Sequence, residues 1–167
     1  MGGIGLYSVG IITASDKGSK GERVDKSGDV IREIVEANGY EVNRYVVVPD
    51  EREDLKKELI YMSDELKLNL IVTTGGTGFS KRDVTPEATK EIIEREVPGI
   101  SESIRAYSLT ITKRAMLSRG VSGIRGNTLI VNLPGSPKAV RESLEYIITE
   151  LEHGIKILIG EDSECAR

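Results

Sequence analysis

Short apolar runs alternate with longer amphipathic segments along this 167-residue chain, and no other feature of the sequence constrains the fold as strongly. Nearly continuous runs of Val, Ile and Leu are typical of strands covered on both faces, as in a parallel sheet. Helical segments between such strands indicate βαβ units and a sheet with helices on both faces. The predicted strands are residues 9–12, 42–48, 70–73 and 129–133.

Helical periodicity marks the intervening segments. Thr85 is predicted to cap one helix, with Pro86 at its first helical position and Glu87 in its first turn. Residues 121–133 predict a hairpin that turns at residues 125–127, which adds one antiparallel strand. The predicted helices are residues 25–38, 50–66, a helix from Thr85, about 100–111, and a last helix after Ser136 and Pro137.

The chain has one cysteine, Cys165, and one histidine, His153. A disulfide within the chain, a zinc site built from cysteines and a metal site with two histidines are therefore excluded. A Ser-His-Asp triad would have to use His153, for which a solvent-facing position near the end of the last helix is expected. Cys165 is predicted to be an exposed thiol in a charged tail.

Composition also narrows the class of partner. The chain holds 23 Lys and Arg against 27 Asp and Glu, a net charge of −4, and only 4% aromatic residues. A nucleic-acid binder needs positive charge and stacking platforms, so that class is disfavoured. No apolar run approaches the roughly 20 residues that span a bilayer, and the N-terminus lacks a signal-peptide pattern. From the length of the chain we expect one domain over residues 1–167. From the lack of a spanning run and of a signal-peptide pattern we expect a cytoplasmic protein without a membrane partner.

Ligands of open α/β sheets bind beyond the carboxyl ends of the strands, so the segments that follow each strand are the first candidates. Polar residues fill these positions, and a long polar loop over residues 15–28 follows the first strand. These segments also carry the least ordinary sequence of the chain. They are residues 13–16 with Thr13, Ser15 and Asp16, residues 49–50, residues 74–83 and residues 134–137.

The glycine-rich sequence TTGGTG at residues 73–78 directly follows a predicted strand. Small side chains, hydroxyls and exposed backbone N–H groups can surround a phosphate. The sequence is neither a Walker A loop nor the dinucleotide fingerprint, and a plain tight turn is the competing interpretation. Its position at a strand end favours binding of a phosphate or substrate.

Two aspartates and one proline-rich turn each allow two interpretations. Asp83 either caps its helix or pairs with Arg82, or it coordinates Mg²⁺ on a bound polyphosphate. Asp50 is either a helix cap or a second carboxylate facing the same phosphate loop. The sequence PGSPK at residues 134–138 is either an ordinary capped turn or an anion site at a helix N-terminus, with Lys138 adding positive charge.

Several segments together resemble the MoaB/MogA family of molybdenum-cofactor biosynthesis proteins. They are TTGGTGFSKRDVTPEAT at residues 73–89, LSRGVSGIRGNTLIVNLPGSPKAVRE at 117–142, IITASDKGSKGERVDKSGDVI at 11–31, and the pair Pro49 and Asp50. The match covers roughly residues 8–150 in the right order. The resemblance implies a three-layer α/β/α sandwich with a mostly parallel sheet and one hairpin-linked antiparallel strand.

The resemblance also implies an activity: transfer of an adenylyl group from ATP to the terminal phosphate of molybdopterin, with Mg²⁺ as cofactor and release of pyrophosphate. It places the catalytic and metal-binding role on Asp50 and Asp83, and the intact RDVTP motif favours activity. The alternative is a non-catalytic molybdopterin-binding or scaffold protein of the same pathway. Family members form homotrimers or hexamers, and other proteins of the pathway are possible partners. The predicted substrate-binding residues are Thr13, Ser15, Asp16, Gly75, Gly76, Thr77, Gly78, Ser118, Pro134, Gly135, Ser136 and Lys138.

Overall fold

Parallel pairing of four apolar strands builds the centre of the molecule. The computed structural model describes residues 7–161, so Cys165 lies outside the described residues. Within that range six strands form one sheet in the order β2-β1-β3-β6-β5-β4, in which β5 runs antiparallel to both of its neighbours. The strands are β1 (Tyr7–Ala14), β2 (Tyr40–Val48), β3 (Leu70–Thr74), β4 (Arg95–Glu96), β5 (Ser122–Arg125) and β6 (Thr128–Leu133).

Helices connect the strands and cover both faces of the sheet. They are α1 (Asp16–Ser19), α2 (Lys26–Ala37), α3 (Arg52–Ile60) with a π-helical turn at Tyr61–Glu65, α4 (Thr85–Ile92), α5 (Pro98–Leu109), a 3₁₀ turn at Lys113–Leu117, and α6 (Pro137–Leu158). No helix formed by residues 7–161 combines the length and the apolar character needed to cross a bilayer.

Alternate residues of each central strand enter two separate apolar cores, because successive side chains of a strand point to opposite faces. Val9, Ile11 and Val72 face the core that contains α2, α5 and α6. Ile12 and Ile71 face the second core, which contains α3 and α4. The structure therefore confirms the three-layer arrangement, the mostly parallel sheet and the antiparallel strand in a hairpin.

Two local predictions were wrong, and one short strand was not predicted. The predicted helix over residues 50–66 begins at Arg52, and Asp50 is not its cap. Thr85 is the first residue of α4 rather than its cap, which is Val84, so Pro86 takes the second helical position and not the first. The N–H of Thr85, which has no partner within the helix, donates to the carbonyl of Gly76 at 3.2 Å. The strand β4 was not predicted, since its two residues are both exposed and carry no apolar pattern.

The order of the strands creates a switch point between β1 and β3. From β1 the chain crosses to β2 on one side, and it then returns to β3 on the other side. Thr13 of β1 pairs with Thr74 of β3, so the carboxyl ends of these two strands lie side by side. A crevice opens at such a point because the following loops diverge, and ligands of doubly wound sheets bind there.

Gly10 in β1 offers a test of how closely the second core packs. A Cβ at this position would lie 2.5 Å from Sδ of Met62 and 2.8 Å from Cδ1 of Leu68, and both side chains are buried. We expect Gly10→Ala to lower the free energy of unfolding by about 1–3 kcal/mol through overpacking. The control is Gly154→Ala in α6, where a Cβ would meet nothing within 4 Å. Alanine should stabilise the helix there by up to about 1 kcal/mol, and urea unfolding of both variants measures the contrast.

Candidate active site

A cleft of about 760 Å³ opens where β1 and β3 end. Its walls come from the loops that follow four parallel strands, so residues far apart in the sequence meet at one edge of the sheet. The structure brings most of the predicted site residues together in this first cleft. They are Thr13, Ser15, Asp16, Asp50, Gly75, Gly76, Asp83, Gly135 and Ser136.

The glycine loop after β3 lies directly against the end of β1. Gly75 and Gly76 adopt φ angles of 89° and 70°, which favour glycine. A Cβ on Gly75 would lie 2.5 Å from the carbonyl oxygen of Ala14. A Cβ on Gly76 would lie 2.3 Å from Oγ1 of Thr85 and 3.4 Å from Oδ1 of Asp50. Glycine is therefore required at both positions, and the loop places its backbone beside the Asp50 carboxylate.

Asp16 and Asp50 hold each other through reciprocal hydrogen bonds. The N–H of Asp16 donates to Oδ2 of Asp50 at 3.0 Å, and the N–H of Asp50 donates to Oδ1 of Asp16 at 3.0 Å. Arg82 donates from Nε and Nη2 to the Asp16 carboxylate at 3.0 and 2.9 Å, and Nη2 also lies 2.8 Å from Glu51. Loops that follow three different strands are thus joined around Asp50.

Asp83 does not pair with Arg82, whose guanidinium is directed to Asp16 and Glu51. Instead, Oδ2 of Asp83 accepts a hydrogen bond from the N–H of Ser80 at 3.0 Å within its own loop. A Cβ on Gly78 would lie 2.9 Å from the same oxygen. The carboxylate of Asp83 therefore lies against the glycine loop on the wall of the first cleft.

The charges around Asp50 make the first cleft a suitable place for a cation. Partial burial raises the pKa of Asp50, the charges of Asp16 and Asp83 raise it further, and the hydrogen bond from Asp16 only partly opposes them. Among residues 7–161 no group of three or more His, Cys, Asp or Glu side chains forms a metal cluster. The carboxylates of Asp50 and Asp83 suit Mg²⁺, which commonly takes its remaining ligands from water and substrate phosphates.

A second, smaller cleft of about 270 Å³ lies on the other side of the glycine loop. Thr77, Gly78, Ser118 and Pro134 line it, so these four predicted residues belong here and not to the first cleft. Two arginines that the sequence interpretation missed, Arg105 of α5 and Arg114 of the 3₁₀ turn, add positive charge to the wall. No sequence motif marked Arg105, because only the packing of α5 brings it to this place.

The turn at residues 134–138 is held firmly against the sheet. Thr74 donates from Oγ1 to the carbonyl of Pro134 at 2.6 Å, and Ser27 donates to the carbonyl of Gly135 at 2.7 Å. Ser136 caps α6 by accepting a hydrogen bond from the N–H of Ala139. The structure does not bring Lys138 to either cleft: its side chain is 83% exposed, and its nearest ion pair is with Glu142 at 3.9 Å.

The loop after β1 contributes more to the first cleft than the sequence indicated. Asp25, which caps α2, accepts hydrogen bonds from Oγ1 of Thr13 at 2.6 Å, from the hydroxyl of Tyr45 and from the N–H of Gly28. Cations also line this wall of the cleft, although no spacing pattern in the sequence marked them. They are Lys17, Arg23 and Lys26.

The only histidine, His153, lines a separate groove between α5 and α6, away from both clefts.

Comparisons with a family model and with curated proteins point to the same group of relatives. Residues 10–153 match the family model described as a probable molybdopterin binding domain. The molybdopterin adenylyltransferase of Helicobacter pylori strain J99 is 43% identical over 156 residues, which cover 91% of this chain and 88% of that protein. The molybdopterin adenylyltransferase of Escherichia coli K12 is 39% identical over 142 residues, covering 83% of this chain and 72% of that protein.

Solved structures show the same fold. The crystal structure of the molybdopterin biosynthesis enzyme MoaB from Thermus thermophilus superposes with a TM-score of 0.89. The two chains are 49% identical, and the alignment covers 95% of this chain and all of that one. The arrangement of sheet and helices described above is therefore shared by this relative.

The raised pKa of Asp50 leads to a prediction about stability. Because its folded pKa lies above the unfolded value, ionisation of Asp50 costs stability as the pH rises through these values. Asp50→Asn removes this cost and keeps an acceptor for the N–H of Asp16. At pH 7 we expect a melting temperature at least equal to that of the parent, with a relative advantage that shrinks in acid.

The control for this prediction is Asp64→Asn, for which the sign is opposite. A hydrogen bond from Arg125 lowers the pKa of Asp64, so its ionised form adds stability that is lost as the pH falls through that lowered pKa. Asp64→Asn should therefore lower the melting temperature at pH 7. Thermal unfolding of both variants between pH 4 and 8 measures the difference, and a loss of stability at pH 7 in Asp50→Asn would contradict the assignment.

Proposed function

The chain belongs to the family of probable molybdopterin binding domains, and we propose that it is a molybdopterin adenylyltransferase of molybdenum cofactor biosynthesis. The observation that carries this proposal is the meeting of Asp50, Asp83 and the glycine loop in one cleft at the switch point. The relatives that carry this name support it over most of their length.

The first cleft suits ATP. Backbone N–H groups of the glycine loop and the cations Lys17, Arg23 and Lys26 would bind its phosphates. Asp50 and Asp83 would hold Mg²⁺, which would neutralise the charge that develops on the phosphates. Since the chain as a whole is negative, the attraction for a polyanion has to come from these local groups.

The second cleft suits molybdopterin. Arg105, Arg114 and Ser118 would hold its terminal phosphate, because arginine recognises phosphate through paired N–H donors. The glycine loop contributes Gly75 and Gly76 to the first cleft, and Thr77 and Gly78 to the second. This shared wall would let an oxygen of the molybdopterin phosphate face the α-phosphate of ATP.

The reaction requires little covalent chemistry from the protein. An oxygen of the molybdopterin phosphate forms a bond to the α-phosphorus of ATP, the bond to the bridging oxygen breaks, and pyrophosphate leaves with the electron pair. Positioning and charge neutralisation account for most of the catalysis in such transfers. Accordingly, the site needs no cysteine or histidine nucleophile, and the only histidine lies in another groove.

Conservative substitution of the two aspartates tests the proposal. Asp50→Asn and Asp83→Asn should each reduce formation of adenylylated molybdopterin by about 100-fold, since each removes a charge that faces the reacting phosphates. Molybdopterin binding should change little, because neither aspartate lines the second cleft. Product and pyrophosphate are measured with purified protein, molybdopterin, ATP and Mg²⁺, and Asp64→Asn is the control away from the site.

The same assay separates the enzyme from a scaffold. If the parent protein binds molybdopterin but forms neither product nor pyrophosphate, the adenylyltransferase proposal is wrong and the non-catalytic binding protein is favoured. If the Asp83→Asn variant keeps the parental rate, the role proposed for Asp83 is wrong.

We further propose that the protein works in the cytoplasm as a homotrimer or hexamer. Large apolar side chains that would be covered in an assembly lie exposed on one short segment: Leu109, Ile111, Met116 and Leu117. Light scattering should give a mass three or six times that of the 18.3 kDa chain. Replacing Met116 and Leu117 together by serine should lower that mass, and a monomeric parent protein would contradict the proposal.

A further inference from the structure

Arg119 connects the two clefts through its side chain and its backbone. Its guanidinium donates from Nε to the carbonyl of Gly78 at 2.8 Å, from Nη2 to the carbonyl of Asp83 at 2.8 Å, and from Nη1 to Oε2 of Glu87 at 2.7 Å. Its own N–H donates to the carbonyl of Thr77 at 3.0 Å. One residue therefore contacts both ends of the loop that carries Asp83.

Two arginines connect this loop to the rest of the protein. Arg82 of the loop binds Asp16 and Glu51 through its side chain, and Arg119 binds the backbone at both ends of the loop. Between Gly78 and Asp83 the chain is exposed, and Phe79 is 71% exposed. The hydrogen bonds between Ser80 and Asp83 are internal to the loop and do not fix it to the rest of the protein. The planar guanidinium fork can bind several acceptors at fixed angles, so Arg119 holds the loop in a defined position.

The neighbour of Arg119 in the sequence is Ser118, which lines the second cleft. The carbonyl of the following residue, Gly120, accepts a hydrogen bond from Nη1 of Arg105 at 2.8 Å. Residues 118–120 are thus fixed to α5 on one side and to the Asp83 loop on the other. A shift of this segment would change the position of Ser118 relative to Asp83.

We propose that Arg119 is a positioning residue that holds Asp83 and the glycine loop in register with the second cleft, so that two bound substrates face each other at reacting distance. This inference rests on the proposed function, because it concerns the same two substrates. The guanidinium of Arg119 donates its hydrogen bonds to protein acceptors. Its effect on the reaction is therefore indirect and acts through the position of Asp83 and the loop.

The competing explanation is that Arg119 serves only as an ion pair for stability. Burial raises the pKa of Glu87, but the hydrogen bond and charge of Arg119 outweigh it and hold that pKa below its ordinary value. Glu87→Gln separates the two roles, because it removes the charge of the partner and leaves the bonds of Arg119 to Gly78 and Asp83 available.

Arg125 provides a matched control. Its guanidinium also joins a carboxylate and a backbone carbonyl, donating to Asp64 at 3.0 and 2.8 Å and to the carbonyl of Ile92 at 2.8 Å. The side chains of Arg125 and Arg119 are 25% and 33% exposed. Arg125 lines neither of the two clefts, so its removal reports the cost of losing such a tie away from the site.

The experiment compares Arg119→Met, Arg125→Met and Glu87→Gln with the parent. In Arg119→Met we expect the turnover number for adenylyl transfer to fall about 100-fold, since a misplacement of about 1 Å costs that much. The binding of molybdopterin and of ATP, measured separately, should stay within about threefold of the parent, because the residues that line each cleft are unchanged. Arg125→Met and Glu87→Gln should keep turnover within about threefold, even where the melting temperature falls.

A second readout does not depend on activity. Hydrogen exchange in residues 76–84 should become faster in Arg119→Met and stay unchanged in Arg125→Met. If the parent forms no product, the proposed function fails, and the exchange measurement still tests the tie. Where Arg119→Met does not fold, Arg119→Lys replaces it, because an ammonium cannot reproduce the fork of donors.

Turnover of Arg119→Met within about threefold of an active parent would overturn the inference, and so would either of two further results. One is unchanged exchange in residues 76–84 of Arg119→Met. The other is a loss of turnover in Arg125→Met or Glu87→Gln as large as that in Arg119→Met, which would assign the effect to stability or to the ion pair.

Discussion

The side-by-side parallel pairing of β1 and β3 is the constraint on which the rest of the structure depends. It places Thr13 beside Thr74 and brings the glycine loop onto the end of β1, where a Cβ on Gly75 would meet the carbonyl of Ala14. The loops after β2 and β6 then close around the same edge. The first cleft and the wall that it shares with the second cleft follow from this pairing, and the packing of α5 completes the second cleft.

The site combines negative and positive groups in a chain that is negative overall. Partial burial raises the pKa of Asp50, and the nearby carboxylates of Asp16 and Asp83 raise it further. Arginines hold the loops around them in different ways. Arg82 binds the carboxylates of Asp16 and Glu51, whereas Arg119 binds backbone carbonyls at both ends of the Asp83 loop. These hydrogen bonds fix the loops that carry the carboxylates of the site.

Much of the fold could be predicted because hydrophobic patterns are local. The four apolar runs became the four parallel strands, and the hairpin at residues 121–133 formed as expected. The errors arose where a contact distant in the sequence outweighed a local preference. Thr85 lies inside α4, where its N–H bonds to Gly76, and the carboxylate of Asp50 accepts a hydrogen bond from Asp16 instead of capping α3.

The sequence by itself determined the class of fold, the strand-end segments and the motifs that identify the family, because these depend on residue order and local pattern. Only the tertiary structure divided the predicted site residues between two clefts, left Lys138 exposed and brought Arg105, Arg114 and Arg119 to the loops. The physical reason is that side chains on different helices acquire fixed distances only when those helices pack on the sheet. A sequence motif can identify the carboxylates of the site, but the packing of the helices determines which side chains lie near them.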